Sequence, residues 1–302
     1  MLMNRREFVR NTTLATAGLT LGDFAPVLAA PGDIRFGYAA ITWQGQDAQA
    51  IDDIAAVGFK GIQLRASAFD AFGDKPAVLK ELLAKHRLSM VALSSGNVGI
   101  EPAREAEELA THVHHARFVR DVGGMFLQLI DSRPKRALVP DDYRRIGRVM
   151  TEIGKRTADI GIPVVYHHHM NSIGERPDEI DWVLDATDPR YVKLLLDVAH
   201  YQQGGGDPVR AVKKYADRTV ILHIKDLQSP LPGNTGDPTR SYRFVELGRG
   251  KVDLKAVFKA LDEVKFRGWA IVELDAVPDK ARTPKESAVI AKQYLESLGF
   301  VV

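Results

Sequence analysis

Three adjacent imidazoles, His167, His168 and His169, close an apolar run that begins Val164-Val165-Tyr166. The whole chain of 302 residues has nine histidines, so a third of them sit in this one stretch. Two more, His200 and His223, lie at the ends of later apolar runs, and Asp197 and Glu273 occupy comparable places. Neutral imidazole nitrogens and carboxylate oxygens are the ligands preferred by divalent Zn, Mn, Co or Fe, and carboxylates also suit Mg. Two imidazoles with two carboxylates would neutralise one such ion. The chain has no cysteine, which excludes thiolate ligands, disulfides and a cysteine nucleophile. The chemistry open to these residues is Lewis-acid activation of an oxygen beside groups that can move protons.

Such residues converge only if the chain between them places each at the same depth. Apolar, β-rich runs fall at 34–41, 61–65, 89–94, 125–130, 164–168, 192–198, 219–224 and 269–274. Amphipathic helical patterns separate them, at 47–57, 76–86, 102–122, 140–160, 177–186, 208–215 and 252–264, with a last one at 284–298. This alternation implies right-handed parallel βαβ units. Eight units in a chain of this length match a single (β/α)8 TIM barrel spanning residues 33–302. The polar loop at 228–243, rich in Pro, Gly and Ser, is placed to border an active site.

Period-two alternation sorts the strand residues into two rows. Leu194, Leu196 and Val198 oppose Leu195 and Asp197; Val220, Leu222 and Ile224 oppose Ile221, His223 and Lys225. Ala270, Val272 and Leu274 oppose Ile271, Glu273 and Asp275; Val164 and Tyr166 oppose Val165, His167 and His169. One row stays apolar for packing under helices, while the other turns polar toward the strand exit, where barrel enzymes keep their chemistry. His167, Asp197, His223 and Glu273 are therefore the expected metal ligands. His168 points away from its two neighbours. Arg65 and Gln128 also face inward and are expected to bind substrate hydroxyls. Arg249 is expected to hold an acidic substrate group.

The segments Tyr166-His167-His168-His169-Met170, Leu196-Asp197-Val198-Ala199-His200, His223-Ile224-Lys225-Asp226, Gly248-Arg249-Gly250-Lys251-Val252-Asp253 and Val272-Glu273 resemble the xylose isomerase-like barrel superfamily. The likeness covers essentially all of the chain beyond its first 32 residues. It implies Asp197, His223 and Glu273 as metal ligands, His200 beside the substrate, and Lys225 as a group that positions it. Ketose epimerases of that superfamily carry a glutamate at the fifth-strand exit, whereas this chain has His167 there. The Tyr-His-His-His-Met run looks more like the inosose dehydratases. Either His167 is a ligand, with His169 or Glu246 handling protons, or His169 is the ligand and His167 lies deeper. The expected activity is metal-dependent isomerisation or epimerisation of a keto sugar or related polyol, through proton abstraction next to the carbonyl by Glu273 or a histidine of the triplet, with Lys225 assisting. An inosose dehydratase-like or keto-glycoside lyase reaction is the alternative, and a non-enzymatic sugar-binding barrel is another.

At the N-terminus, Arg5-Arg6 is followed by a mildly apolar stretch and by Val27-Leu28-Ala29-Ala30. Basic head, apolar middle and small-residue exit predict a twin-arginine export signal over residues 1–32 and a periplasmic protein. The apolar stretch is too short for a stable membrane anchor. The formal charge of +2 with no basic aromatic stripe argues against nucleic acid, leaving a small sugar or cyclitol as the expected partner and homo-oligomerisation open. His112 and His115, three apart on a helical pattern, are expected on a solvated face. Gly204-Gly205-Gly206-Asp207 is expected to be a turn with an N-cap at Asp207 rather than an anion loop.

Overall fold

The eight apolar runs pair side by side in one ring. A computed structural model describes residues 34–302, and the export segment expected over residues 1–32 lies outside the described residues. The ring contains β1 (Arg35–Ala39), β2 (Gly61–Arg65), β3 (Ser89–Val98), β4 (Phe126–Asp131), β5 (Val164–His167), β6 (Val192–Asp197), β7 (Thr219–Ile224) and β10 (Trp269–Val272). These strands close a parallel barrel in the order β1-β10-β7-β6-β5-β4-β3-β2. Between β7 and β10 the chain adds an antiparallel ribbon, β8 (Asp226–Gln228) with β9 (Arg243–Val245). The helices are α1 (Asp47–Val57), α2 (Ala68–Phe72), α3 (Pro76–Lys85), α4 (Glu105–Val122), α5 (Pro140–Ala158), α6 (Pro177–Asp185), α7 (Val198–Gln203), α8 (Pro208–Lys214), α9 (Leu254–Glu263) and α10 (Pro284–Ser297). Short 3-10 turns follow β1 and precede α4.

Proline stands in the first turn of α3, α5, α6, α8 and α10, where its missing N–H costs nothing. Asp207 caps α8 by accepting from Val209 N and Arg210 N, which is the role expected of it. Three elements differ from the sequence reading. The run 192–198 stops as a strand at Asp197 and turns directly into α7, because the Asp197 carboxylate caps that helix. The loop at 228–243 is flanked by the ribbon, and α2 lies within the connection after β2.

The two rows of alternating residues become two cores. Leu64, Leu127, Tyr166, Leu196, Leu222 and Val272 pack outward under the helices. Val165, Leu195, Ile221 and Ile271 fill the barrel interior with Ala39, Val91, Ala92 and Trp269. Trp269 plugs the end away from the strand exits, with the Arg35 guanidinium 4.5 Å over its ring. Gly61 makes room for that plug, since a Cβ there would lie 2.4 Å from Trp269 Cζ3 and 2.7 Å from Val91 Cγ2. At the exit end, Asp226 ties down the following loop by accepting from the backbone N–H of Leu227, Gly248, Gly250 and Val252. The run Gly248 to Asp253 is thus a clamp: Gly248 has φ +80, and a Cβ on Gly250 would meet Asp226 Oδ1 at 2.1 Å. Gly61→Ala is expected to destabilise the barrel by about 1–3 kcal/mol through overpacking, read as a lower urea midpoint at unchanged slope. Adding Trp269→Leu should recover part of the loss; equal midpoints for Gly61→Ala and wild type would contradict the plug.

Candidate metal centre

Strands β5, β6, β7 and β10 carry His167, Asp197 and His223 into one cluster, with Glu273 immediately beyond β10. Register sets their depth, with Asp197 opposite His223 and Ile271 also opposite His223, so Glu273 lies one inner-row step further out. Asp197 Oδ2 is 3.5 Å from His167 Nε2 and 3.5 Å from His223 Nδ1. Glu273 Oε2 is 3.3 Å from that same His223 nitrogen. Asp197 and His223 have no solvent exposure, and His167 has 1%.

Buried polar atoms are normally paired. Here His167 Nε2, Asp197 Oδ2 and His223 Nδ1 have no hydrogen-bond partner, and all three face one another. Separations of 3.3–3.5 Å are close to the edge of a tetrahedron with metal–ligand bonds of about 2.0–2.1 Å, roughly 3.3 Å. The donor set therefore fits a small divalent cation. His200 belongs to the same cluster: His167, Asp197, His200 and Glu273 each offer a ligand atom within 4.8 Å of the others. Its two nitrogens, however, face the Met170 N–H and the Lys225 ammonium, each at 3.3 Å. His223 Nδ1 is unengaged and is the better placed donor.

Two glutamines orient the imidazoles. Gln63 Oε1 lies 2.9 Å from His223 Nε2, so it accepts the Nε2–H and leaves the Nδ1 lone pair turned inward. The Gln128 amide stands 3.0 Å from His167 Nδ1, with its own Oε1 unpartnered. Turning that amide over gives Oε1 the Nδ1–H and presents the His167 Nε2 lone pair to the cluster. Gln63 shares the inward row of the second strand with Arg65, and nothing in its local sequence marked this role. Behind the site, His168 Nε2 accepts from the Asp197 backbone N–H at 3.2 Å.

The electrostatics suit ligation. Burial disfavours the Asp197 anion, but His200, His167, His223 and Lys225 outweigh it and hold the carboxyl well below the usual range. Burial also opposes ionisation of Glu273, and His223, Lys225 and His167 bring it down to about 2. Burial, reinforced by His223, lowers His167 to about 4, and burial lowers His168 to about 3. For Lys225, burial favours the neutral amine, but Glu273, Asp275 and Asp197 more than reverse this and keep it protonated. Its ammonium donates to Glu273 Oε1 at 2.9 Å and Asp275 Oδ1 at 2.6 Å, under the Phe244 ring at 3.8 Å.

A cavity of about 500 Å³ opens above the cluster, lined by His167, His169, Glu273, Asp275, Gln63, Gln128 and Arg65 among others. His169 is half-buried, its Nδ1 bonded to Met170 O at 2.7 Å and its ring 3.7 Å from that of His200. His167, not His169, stands at the depth of Asp197 and His223. Lys225 and His200 lie behind the wall rather than on it. Glu246 is not on the cavity: it accepts from Arg282 at 2.6 Å and Ser287 at 3.2 Å, anchoring the start of α10. Arg249 is exposed and lies 3.7 Å from Glu246, so neither residue reaches the place expected of it. His112 also departs from expectation, being buried with Ser95 Oγ at 2.6 Å from its Nδ1. A larger space of about 1230 Å³ at the opposite barrel end has Asp262 as its one acidic side chain and no imidazole, so it cannot assemble such a ligand set.

A family model described as xylose isomerase-like TIM barrel matches residues 51–297. Inosose dehydratase of Lacticaseibacillus casei is 28% identical over 297 residues, covering 87% of this chain and 97% of the relative. Inosose dehydratase of Clostridium beijerinckii is 26% identical, covering 88% and 98%. Among solved structures, the IolI protein with a bound zinc atom superposes with a TM-score of 0.73 at 18% identity, covering 88% of this chain and 98% of that one. D-allulose 3-epimerase from Methylomonas sp. gives 0.68 at 20% identity, covering 90% and 100%. These two structures share the fold.

The buried imidazoles generate a pH dependence. His167 and His168 bind protons less readily in the folded chain than at their ordinary value of 6.5. Between pH 6.5 and about 4 the unfolded chain therefore holds more protons, and stability falls as the pH falls. Chelator-treated protein is expected to lose on the order of 3 kcal/mol for each of these two imidazoles across that window, measured by urea unfolding at each pH. Added zinc should raise Tm at pH 7 and lose its effect toward pH 5, as the ligands must be deprotonated. A flat stability profile, or no thermal response to any divalent ion, would contradict the site.

Proposed function

Because the chain belongs to the xylose isomerase-like TIM barrel family, we propose that it is a divalent-metal-dependent enzyme that eliminates water from a polyhydroxy ketone of the sugar or cyclitol class. The observation that carries this reading is the set of three unpartnered buried atoms, His167 Nε2, Asp197 Oδ2 and His223 Nδ1, beneath a cavity also lined by Glu273 and His169. The inosose dehydratase relatives support the substrate class and the dehydration. His167, Asp197, His223 and Glu273 would hold the ion, which when bound supplies Lewis-acid polarisation of a carbonyl oxygen.

The remaining steps belong to the chain. His169 Nε2 takes the proton from the carbon next to the carbonyl; its Nδ1–H, fixed on Met170 O, selects that tautomer. The electron pair released forms the carbon–carbon double bond as the neighbouring C–OH bond breaks. The proton passes from His169 to the departing hydroxyl, which leaves as water, so no oxidant or reductant is needed. Lys225 keeps its charge and acts by fixing Glu273 and Asp275. The His200 ring packs tilted against that of His169, 3.7 Å between centroids, and limits its orientation. Gln128 and Asn97 offer hydrogen bonds to substrate hydroxyls.

Isomerisation or epimerisation is the second reading. It is favoured by one feature: His169 follows β5 and Glu273 follows β10, strands that β6 and β7 separate in the ring, so two proton-handling groups reach the cavity from different strands. A non-enzymatic sugar-binding barrel would not need the ligand set at all.

In buffered D2O the metal-loaded enzyme is expected to release an unsaturated ketone and water from an inosose. Chelation should abolish turnover, Asp197→Asn should lower metal affinity, and His169→Ala should lower kcat by roughly 100- to 10,000-fold with metal content intact. Deuterium entering recovered substrate without any dehydration would instead select the epimerase reading, and turnover indifferent to chelator would defeat both. We further propose export by the twin-arginine route, supported by Arg5-Arg6 and the apolar stretch behind it. N-terminal sequencing of periplasmic protein should begin near residue 31, and an Arg5→Lys, Arg6→Lys double variant should stay in the cytoplasm.

A further inference from the structure

The geometry points to a carboxylate-binding subsite on the β2–β4 wall, centred on Arg65, so that the substrate is a polyhydroxy keto acid. This rests on the metal-dependent ketone chemistry proposed above and narrows its substrate.

The cavity is divided by charge. Its β5–β10 half holds the imidazoles and the carboxylates of Asp197, Glu273 and Asp275, with Lys225 bonded to the last two. Three carboxylates and one ammonium leave two negative charges, which a divalent cation cancels. The β2–β4 half presents Arg65 and Arg133, with the uncharged Ser94, Asn97 and Gln128 between them. Arg133 is partly engaged, donating to Ser172 O at 2.9 Å and lying 3.5 Å from Glu179. The Arg65 side chain makes no hydrogen bond or ion pair among the described residues.

The carboxylates on the cavity are bonded to other partners. The Asp131 carboxylate accepts from Tyr166 Oη at 2.7 Å and from the Ile173 and Gly174 N–H groups. Asp275 and Glu273 are both bonded to Lys225. Asp47 on α1 feels the Arg65 charge but forms no ion pair with it; burial pushes its carboxyl up to about 6, and Arg65 opposes that rise. Arg65 is therefore the guanidinium on the cavity wall that no carboxylate among the described residues bonds, whereas Arg133 is paired with Glu179.

Its position suits one end of a ring-sized ligand. Arg65 is one inner-row step beyond Gln63, which bonds the ligand His223. That step is about 6.6 Å along the wall, the breadth of a six-membered ring with its substituent. A neutral ring would find hydroxyl partners in Ser94, Asn97 and Gln128 and would leave the guanidinium unmatched. A carboxylate opposite the carbonyl engages it through the two-pronged geometry arginine favours.

The test uses the full-length metal-loaded protein and a matched pair of ligands, a hydroxylated oxocyclohexane carboxylate and its carboxamide. Wild type is expected to favour the acid at least roughly 10-fold in kcat/KM and in calorimetric Kd. Arg65→Met should collapse that ratio by roughly 10- to 100-fold, chiefly through KM, and Arg65→Lys should restore part of it. Arg65 is exposed and unbonded, so these variants are expected to fold, which the wild-type Tm checks. Equal preference in wild type, loss of both ligands alike in Arg65→Met, or no calorimetric binding of either ligand overturns the subsite. Turnover of both ligands that survives chelation is the distinct result that defeats the underlying metal reading.

Discussion

An ionised carboxylate with no solvent exposure is unfavourable in a protein interior unless every lone pair has a use, and Asp197 shows how this barrel meets that demand. Oδ1 accepts from Ala199 N and His200 N, which starts α7 and ends β6 at once. The backbone N–H of the same residue is held by His168. Only Oδ2 is left, and it faces His167 and His223. The capping bonds fix the carboxylate to within one rotamer, so the position of Oδ2 is set by the fold before any ligand arrives. Strand end, helix start and cluster centre are one residue, and displacing it disturbs all three.

From that fixed point, charge and hydrogen bonding spread in layers. Gln63 and Gln128 select imidazole tautomers, and Lys225 draws Glu273 and Asp275 to one side. Lys225 is itself fully buried and stable only because it faces anions on several sides under the Phe244 ring. The result is a cluster in which burial keeps His167 and His200 neutral while Asp197 and Glu273 are held ionised near neutral pH, the protonation pattern that ligation needs. Stability is supplied at the other end of the barrel, where Trp269 fills the space over Gly61. The exit end can therefore keep unpartnered polar atoms without unfolding the sheet.

Much of this was legible in the sequence because two periods dominate it. The eight alternating runs close as the expected barrel, and period-two alternation sorted Leu195, Ile221 and Ile271 into the interior and Leu194, Leu222 and Ala270 beneath the helices. The same alternation brought His167, Asp197, His223 and Glu273 together. What stayed hidden depends on side-chain reach rather than spacing. Glu246 and Arg249 lie in a loop whose direction is decided by Asp226, four backbone bonds that no local pattern announces. His112 has the spacing of a surface helix residue, yet its neighbour is Ser95 on β3. The end of β6 was set too late because Val198 is apolar, and a capping bond overrode that preference.

The histidine triplet acquires its meaning from the same period of two. His167 and His169 must face the cavity side and His168 the helix side, so three identical side chains cannot act as one ligand set. His167 enters the cluster with Nε2 unpartnered. His168, turned away, holds the backbone of Asp197 and so fixes the carboxylate that His167 faces. His169 has left the strand, stands on the cavity wall against His200, and keeps one nitrogen clear of the ion cluster. A residue with a single lone pair cannot both coordinate a cation and accept a substrate proton. On the proposed reading those tasks fall to His167 and His169, two positions apart at one strand exit, while His168 between them holds the Asp197 backbone.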